Sequence, residues 1–398
     1  MVEPEHPAVD YPVFDGDNHY YEALDAFTRH LDPKLGPRTV QWADINGRRY
    51  PVVAGRVSRA VANPTFDPIA KAGAMHDYFR GNPDQKLPLE FLREREPIRS
   101  EYRDRDARLA VMDKQGLGQV WLFPTLGMLY EELLTHDPGA VAATFTAFNR
   151  WVEEDWGFHY RDRIFAAPYL SLADPTWAVS ELEWAIDRGA RTIVMRPAAP
   201  TTTLGQLPPT DAMFDPFWAR VNEAGITVVV HGADSGYSAQ GYAKDGFAAT
   251  FEGAERPSIK MLTMERAIYD FLASLVFDDL FRRFPNLRIA SVENGSEFLG
   301  DLLKKLISYH RRIPGLFHED PRDIFRRHVW INPFWEDDVY EIAEHVGTDR
   351  VIFGSDWPHI EGMPEPLDYV RELEDFDDAT QRLILADNAA GLTELRPA

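Results

Sequence analysis

The chain has 398 residues, 44% of them hydrophobic and 12% aromatic, so it can bury a large core and lacks the composition of a disordered protein. Its formal net charge of -22 gives nucleic acid and anionic membranes no electrostatic reason to bind, and no run approaches the ~18 apolar residues of a membrane span. Cysteine is absent, which removes disulfides, thiolate nucleophiles and thiolate metal sites and restricts any metal to His and carboxylate ligands.

The opening MVEPEHPAVDYP has neither the basic nor the apolar segment of a signal peptide, so a soluble, cytoplasmic protein is expected. Eight short apolar runs rich in Val, Ile and Phe then predict strands at Tyr11–Asp15, Gln119–Phe123, Ile164–Leu170, Thr192–Arg196, Thr227–His231, Arg288–Val292, His328–Ile331 and Val351–Phe353. Several are continuously hydrophobic, as parallel strands covered on both faces must be. Between them, helices are predicted at Thr176–Arg188, Asp215–Ala224, Ser258–Phe284 in two pieces, Gly295–Tyr309, Asp337–Val346 and Pro366–Phe376. Alternation of this kind predicts an α/β fold of one domain spanning 1–398, a (β/α)8 TIM barrel. The exception is residues 31–113, which separate the first two strands by far more than an ordinary loop and read as an insertion over the barrel mouth. Within it, RTVQWADINGRRYPVVAG predicts a hairpin turning at Asn46-Gly47. The insertion suits a substrate lid or a surface for homo-oligomerisation.

In a TIM barrel the active site lies at the C-terminal ends of the strands, so polar residues there carry most information. The first strand runs into VFDGDNHYYE, where Asp17 and His19 alternate in extended backbone and point to one side. The fifth ends at His231 after three valines, the sixth is followed by Glu293 and Asn294, and the eighth ends FGSDWPH, with Asp356 and His359. Each has an ordinary structural explanation alone: an Asp turn, a hydrogen-bonded core histidine, a capping or ion-paired glutamate. Their coincidence at strand ends on one face favours a common metal site formed by Asp17, His19, His231, Glu293 and Asp356.

The segments DNHYYE, VVVH and FGSDWPH resemble the amidohydrolase-related branch of the metal-dependent hydrolases, which also contains decarboxylases. That resemblance covers nearly the whole barrel. It implies a metal held by Asp17, His19, His231 and Asp356, and it departs from the family pattern where Asp17 replaces the first His of an HxH pair and Glu293 stands where relatives often carry a strand-six His. The resulting donor set is rich in hard oxygen, which favours manganese or iron while leaving zinc open, with one or two ions.

Such an ion would activate water or bind a substrate carboxylate, with Asp356 as general base and acid. The expected activity is hydrolysis or non-oxidative decarboxylation of a small cyclic or aromatic organic acid. Arg196 is a candidate fork for a substrate carboxylate, or else a structural ion pair; His359 is a candidate proton donor; Asn332 and Trp357 are candidates for substrate contact. Tyr20, Phe123, Phe334 and Trp357 are aromatic residues near strand ends that could line a pocket. Two alternatives come from other classes: a non-haem iron or di-iron oxygenase with the same ligands, and a metal-binding protein without turnover.

Overall fold

The computed structural model describes residues 9–61, 63–237 and 263–398. Seven short parallel strands organise the core: β1 (Val13–Tyr20), β2 (Leu117–Pro124), β3 (Ile164–Ala166), β4 (Thr192–Met195), β5 (Thr227–His231), β6 (Arg288–Val292) and β7 (Val329–Ile331). Hydrogen bonding groups them as β1-β2-β3 and as β7-β6-β5-β4. β5 and β6 are buried at every position, which explains why they read in sequence as unbroken apolar runs.

Isolated parallel bridges join the two sheets at both ends. Beyond β3, Tyr169 pairs with Val194 of β4. On the other side Ile331 pairs with Val351 and Trp357 with Asn18 of β1. The predicted strand Val351–Phe353 is therefore a short extended link, holding Ile331 through its Ile352 amide and receiving the Gly16 amide at Phe353 O. Two close approaches require glycine here: a Cβ on Gly354 would lie 2.4 Å from Asp17 Cβ, and one on Gly16 would lie 2.9 Å from Phe353 O.

Helices pack outside the strands. Pro175–Ile186 starts at Asp174, whose carboxylate accepts from the Thr176 and Trp177 amides, as its capped sequence predicts. Asp215–Ala224 ends at Gly225 in left-handed backbone. The helices Arg105–Gln115, Gly127–Leu134, Pro138–Asp155 and Pro321–His328 were not predicted. The expected helix start at Ser258 lies outside the described residues; within them, Thr263–Phe277 and Leu280–Arg283 are the two observed pieces. Pro366–Leu373, within the predicted helix Pro366–Phe376, is helical with one buried side, but 3-10 rather than α.

Between β1 and β2, Val40–Ile45 and Arg48–Val53 form the expected antiparallel hairpin, with Asn46 and Gly47 both at positive φ in its turn. Ile69–Ala70 pairs with Arg95–Glu96. No helix among the described residues is long and apolar enough to cross a membrane.

Candidate metal centre

The ends of β1, β5 and β6 and the turn after Phe353 meet at one place. β1 reaches it through a bulge: between Asp15 and Asn18 it advances three residues while β2 advances two, from Val120 to Leu122. Asp15, fully buried, accepts from the Asp17 amide at 3.1 Å, Asn18 Nδ2 at 2.8 Å, and the Ser355 amide and hydroxyl at 2.9 and 2.5 Å. These bonds tie β1 to the Ser355–Asp356 turn; burial outweighs them and raises the Asp15 carboxyl to about 6. From the other side Arg108 donates to His19 O at 2.7 Å and to Asn18 Oδ1. Neither Asp15 nor Arg108 was singled out in the sequence.

Glu293 and Asp356 both have φ of 54°, the left-handed region, which costs a non-glycine residue about 1–2 kcal/mol. Surrounding contacts hold them there. The Asp356 amide donates to Asp17 O at 2.8 Å, and Asn294 next to Glu293 bonds Val230 O and Val292 O at 2.8 and 2.9 Å.

His19 Nε2 lies 3.2 Å from Asp17 Oδ1, 3.2 Å from Glu293 Oε2, 3.4 Å from Asp356 Oδ1 and 3.2 Å from His231 Nε2. His231 Nε2 in turn is 3.5 Å from Asp17 Oδ1 and 3.2 Å from Glu293 Oε2. His231 Nδ1 lies 2.9 Å from Gly232 O, a pure acceptor, so the ring proton sits on Nδ1 and Nε2 presents a lone pair. The three carboxylate oxygens are buried without a hydrogen-bond partner. With metal–ligand bonds of about 2.0–2.2 Å, adjacent donors on one ion stand roughly 3.0–3.6 Å apart, the spacing seen here. The residues form two overlapping groups compact enough for an ion, Asp17–His19–His231–Glu293 and His19–Glu293–Asp356–His359.

The electrostatics agree with this chemistry. Burial disfavours a charged His19, yet the carboxylates of Asp17 and Glu293 push its imidazole up to about 10. Burial, followed by the negative charges of Glu293, Glu361 and Asp17, pushes Asp356 well above the usual carboxylate range. Burial, then His19 and His231, drives His359 well below its ordinary value. Closely packed carboxylates thus call for a compensating positive charge.

His359 Nδ1 is 2.6 Å from Asp356 Oδ1, and its Nε2 is 2.9 Å from Thr125 Oγ1. Thr125 donates its hydroxyl proton to Tyr20 O at 2.8 Å, so a lone pair faces His359 and Nε2 carries the proton. Nδ1 is then left open toward Asp356. Thr125 follows the end of β2, so the strand-end criterion would have found it.

Other predicted residues go elsewhere. Arg196 is buried against Glu132 at 2.6 Å, Glu131 at 3.4 Å and Asp234 O at 2.8 Å, the structural ion pair rather than a wall of the cleft beside the cluster. Trp357 packs on Tyr102 and under the Arg108 guanidinium, and Asn332 lies beneath Gly354 with Nδ2 3.2 Å from Ile352 O; neither lines that cleft. Phe123 lies beneath the His231 ring at 5.0 Å, while Tyr20 packs outward on Trp151 and Trp156. The cleft's own aromatic residues, Tyr21 and Phe66, gave no distinct sequence signal.

The amidohydrolase family model matches residues 94–392. A crystal structure of an amidohydrolase from Mycobacterium avium subsp. paratuberculosis K-10 is 42% identical, with a TM-score of 0.90 over 97% of this chain and 100% of that one. A mixed α/β scaffold with a buried His–carboxylate cluster at its strand ends defines the class, and the chain belongs to the amidohydrolase family. More distant structures share the fold. The 2,6-dihydroxybenzoate decarboxylase from Rhizobium is 18% identical, with a TM-score of 0.57 over 73% of this chain and 88% of its own. The 5-carboxyvanillate decarboxylase from Novosphingobium aromaticivorans, crystallised with manganese, is 15% identical, with a TM-score of 0.57 over 96% of each chain.

Proposed function

We propose that this protein is a metal-dependent carboxy-lyase or hydrolase of an organic acid, using one divalent cation held by Asp17, His19, His231, Glu293 and Asp356. The observation that carries the reading is the convergence of three unpartnered carboxylate oxygens on two imidazole Nε2 atoms. A single ion is favoured because both overlapping groups share His19, whose Nε2 makes the contacts to Glu293 and Asp356 and has one lone pair to give to one metal. Three oxygen and two nitrogen donors suit manganese, and the manganese in the 5-carboxyvanillate decarboxylase is in keeping with that choice.

The cation supplies Lewis acidity toward a carbonyl or carboxylate oxygen of the substrate. The protein supplies the proton chemistry. Asp356 and His359 stand within reach of each other for passing a proton, and Thr125 holds the His359 ring by its far nitrogen. In decarboxylation the C–C bond breaks, its electrons stay on the substrate carbon, and that carbon takes the proton from this pair as CO2 leaves. In hydrolysis the pair takes a proton from water and returns it to the leaving group.

We read the strands as a closed (β/α)8 ring in a single domain, with residues 31–113 as an insertion over its mouth. Parallel bridges at both seams support the ring, and Ala60, Val61, Asn63 and Phe66 in the wall of the cleft support the placement of the insertion.

After reconstitution, elemental analysis is expected to find about one equivalent of manganese. Carbon dioxide release from aryl and unsaturated acids, or acid release from esters and lactones, should depend on it and fall at least ~100-fold in Asp356→Asn. A protein that binds no divalent ion, or turnover that survives EDTA, rejects the reading.

A further inference from the structure

The turn that carries Asp356 and His359 closes on itself. The His359 amide donates to Asp356 O and the Met363 amide to Ser355 O, both at 2.9 Å, and a Cβ on Gly362 would collide with Asp356 O. Movement of residues 358–362 is therefore passed to Asp356. Four successive carbonyls of this turn each accept a hydrogen bond from outside it. Pro358 O accepts from the Tyr21 hydroxyl at 3.0 Å, His359 O from the Gly73 amide at 2.9 Å, Ile360 O from the Met75 amide at 2.8 Å, and Glu361 O from Trp335 Nε1 at 3.0 Å. Tyr21 follows β1 and Trp335 follows β7, whereas Gly73 and Met75 belong to the long segment between β1 and β2.

That segment is itself fastened down. Its Ile69–Ala70 strand pairs with Arg95–Glu96. Met75, fully buried, forms with Ala70 and Leu92 a small hydrophobic cluster apart from the main core, and Ile360 packs against it. Ile360 is thus held by both its carbonyl and its side chain. Further on, the His76 ring stacks on Trp335 at 4.4 Å, and Arg80 lies over the same indole at 4.8 Å while pairing with Glu372. Gly73 has φ of 65°, and a Cβ there would lie 2.5 Å from Pro364 Cδ, so glycine is what lets the segment lie this close to the turn.

We infer that residues 69–80 are a fixed strap that positions the Asp356–His359 turn, rather than a lid that opens for substrate, with Gly73, Met75 and Trp335 as positioning residues for the metal centre. Mobile lids have few buried apolar contacts and solvent-exposed backbone hydrogen bonds. Opening this segment would break two amide hydrogen bonds, a ring stack, an ion pair and the cluster around Met75. The strap's effect on the ion rests on the metal-centre reading; the strap itself rests on these contacts alone.

Hydrogen–deuterium exchange and manganese calorimetry on the full chain test it. Peptides covering 69–80 and 358–363 are expected to exchange slowly in the metal-free and the manganese-loaded chain alike. Fast exchange in the metal-free chain that slows on loading is the behaviour of a lid and overturns the inference. Trp335→Phe keeps a ring for His76 but lacks the indole donor, and Gly73→Ala forces the segment off Pro364. Each is expected to weaken manganese binding about tenfold with far-UV circular dichroism unchanged. Val221→Ala is the control for general destabilisation, because Val221 is buried on the helix Asp215–Ala224, which leads into β5 at the end opposite His231. Its manganese affinity should stay within about twofold. Unchanged affinity in both strap variants, or an equal drop in Val221→Ala, overturns the inference. If the wild type binds no manganese but slow exchange over 69–80 is lost in both strap variants, the strap stands and the metal-centre reading falls. If manganese binds equally well to all three variants, the reverse holds.

Discussion

Asp15 shows how much of the centre depends on a residue that does not touch it. Its carboxylate receives four hydrogen bonds, two of them from Ser355, and so joins the strand carrying Asp17 and His19 to the turn carrying Asp356. Asp15→Asn places an amide N–H among those donors. We expect manganese affinity to fall about 10–100-fold with the far-UV circular dichroism unchanged, measured by titration calorimetry. Unchanged affinity would show that the turn is held by other contacts. His328 offers a second residue-scale prediction, away from the centre. It is buried, with Nδ1 2.8 Å from Leu287 O and its ring stacked 4.4 Å from Phe281, and burial lowers its pKa below the ordinary 6.5. The unfolded chain therefore binds this proton first. Its contribution to stability is complete above pH 6.5 and is lost as pH falls from there through the lower folded value. Urea unfolding of wild type and His328→Asn should show the variant gaining relative stability between pH 8 and 5.5; a difference independent of pH would refute this.

At the scale of elements, Arg196 packs against acidic side chains, which favours the structural one of its two readings. It follows β4 and reaches the helix Gly127–Leu134, where Glu131 also accepts from Tyr169 at 2.6 Å and Ser171 at 2.7 Å. Arg196→Met leaves two acidic residues without their cation in a buried setting, so a loss of about 3–5 kcal/mol in unfolding free energy is expected. Manganese affinity should stay within about twofold, because Arg196 lies outside the cluster. A substrate-binding arginine would give the opposite pattern, with little change in stability and a raised KM. The bulge in β1 and the left-handed backbone at Glu293 and Asp356 belong to this scale as well. They are local departures from regular strand geometry at the three places where carboxylates enter the cluster.

For the molecule as a whole, the proposed metal would join elements far apart in sequence: β1, β5, β6 and the turn at Asp356. An ion that binds only the folded chain stabilises it by about 2.7 kcal/mol at a hundredfold excess over its Kd. Differential scanning fluorimetry should thus show Tm rising by a few degrees with manganese, less with magnesium, and falling with EDTA. No response to any divalent ion would weigh against the centre. Raising sodium chloride from low ionic strength should also raise Tm of the metal-free chain, because a net charge of -22 repels itself and salt screens it.

Sequence by itself determined the strands and pointed to the candidate donor residues, and for a physical reason. Parallel strands buried on both faces must be continuously apolar, so the polar residue that ends such a run, as His231 ends Thr227–His231, is conspicuous. Seven of the eight predicted runs contain or overlap named strands, and Asp17, His19, His231, Glu293, Asp356 and His359 are brought together. Only the tertiary structure decided what surrounds them. Arg196, Asn332 and Trp357 lie near strand ends too, but packing directs them to Glu131 and Glu132, to the space beneath Gly354, and to Arg108. Val61, Phe66 and Ile69 in the cleft wall have no periodicity that betrays their role, because the residues lining the cleft with them, such as Tyr21, Met128 and Ile360, are remote in sequence. Local pattern records which side chains avoid water; it does not record which distant side chains they meet when they do.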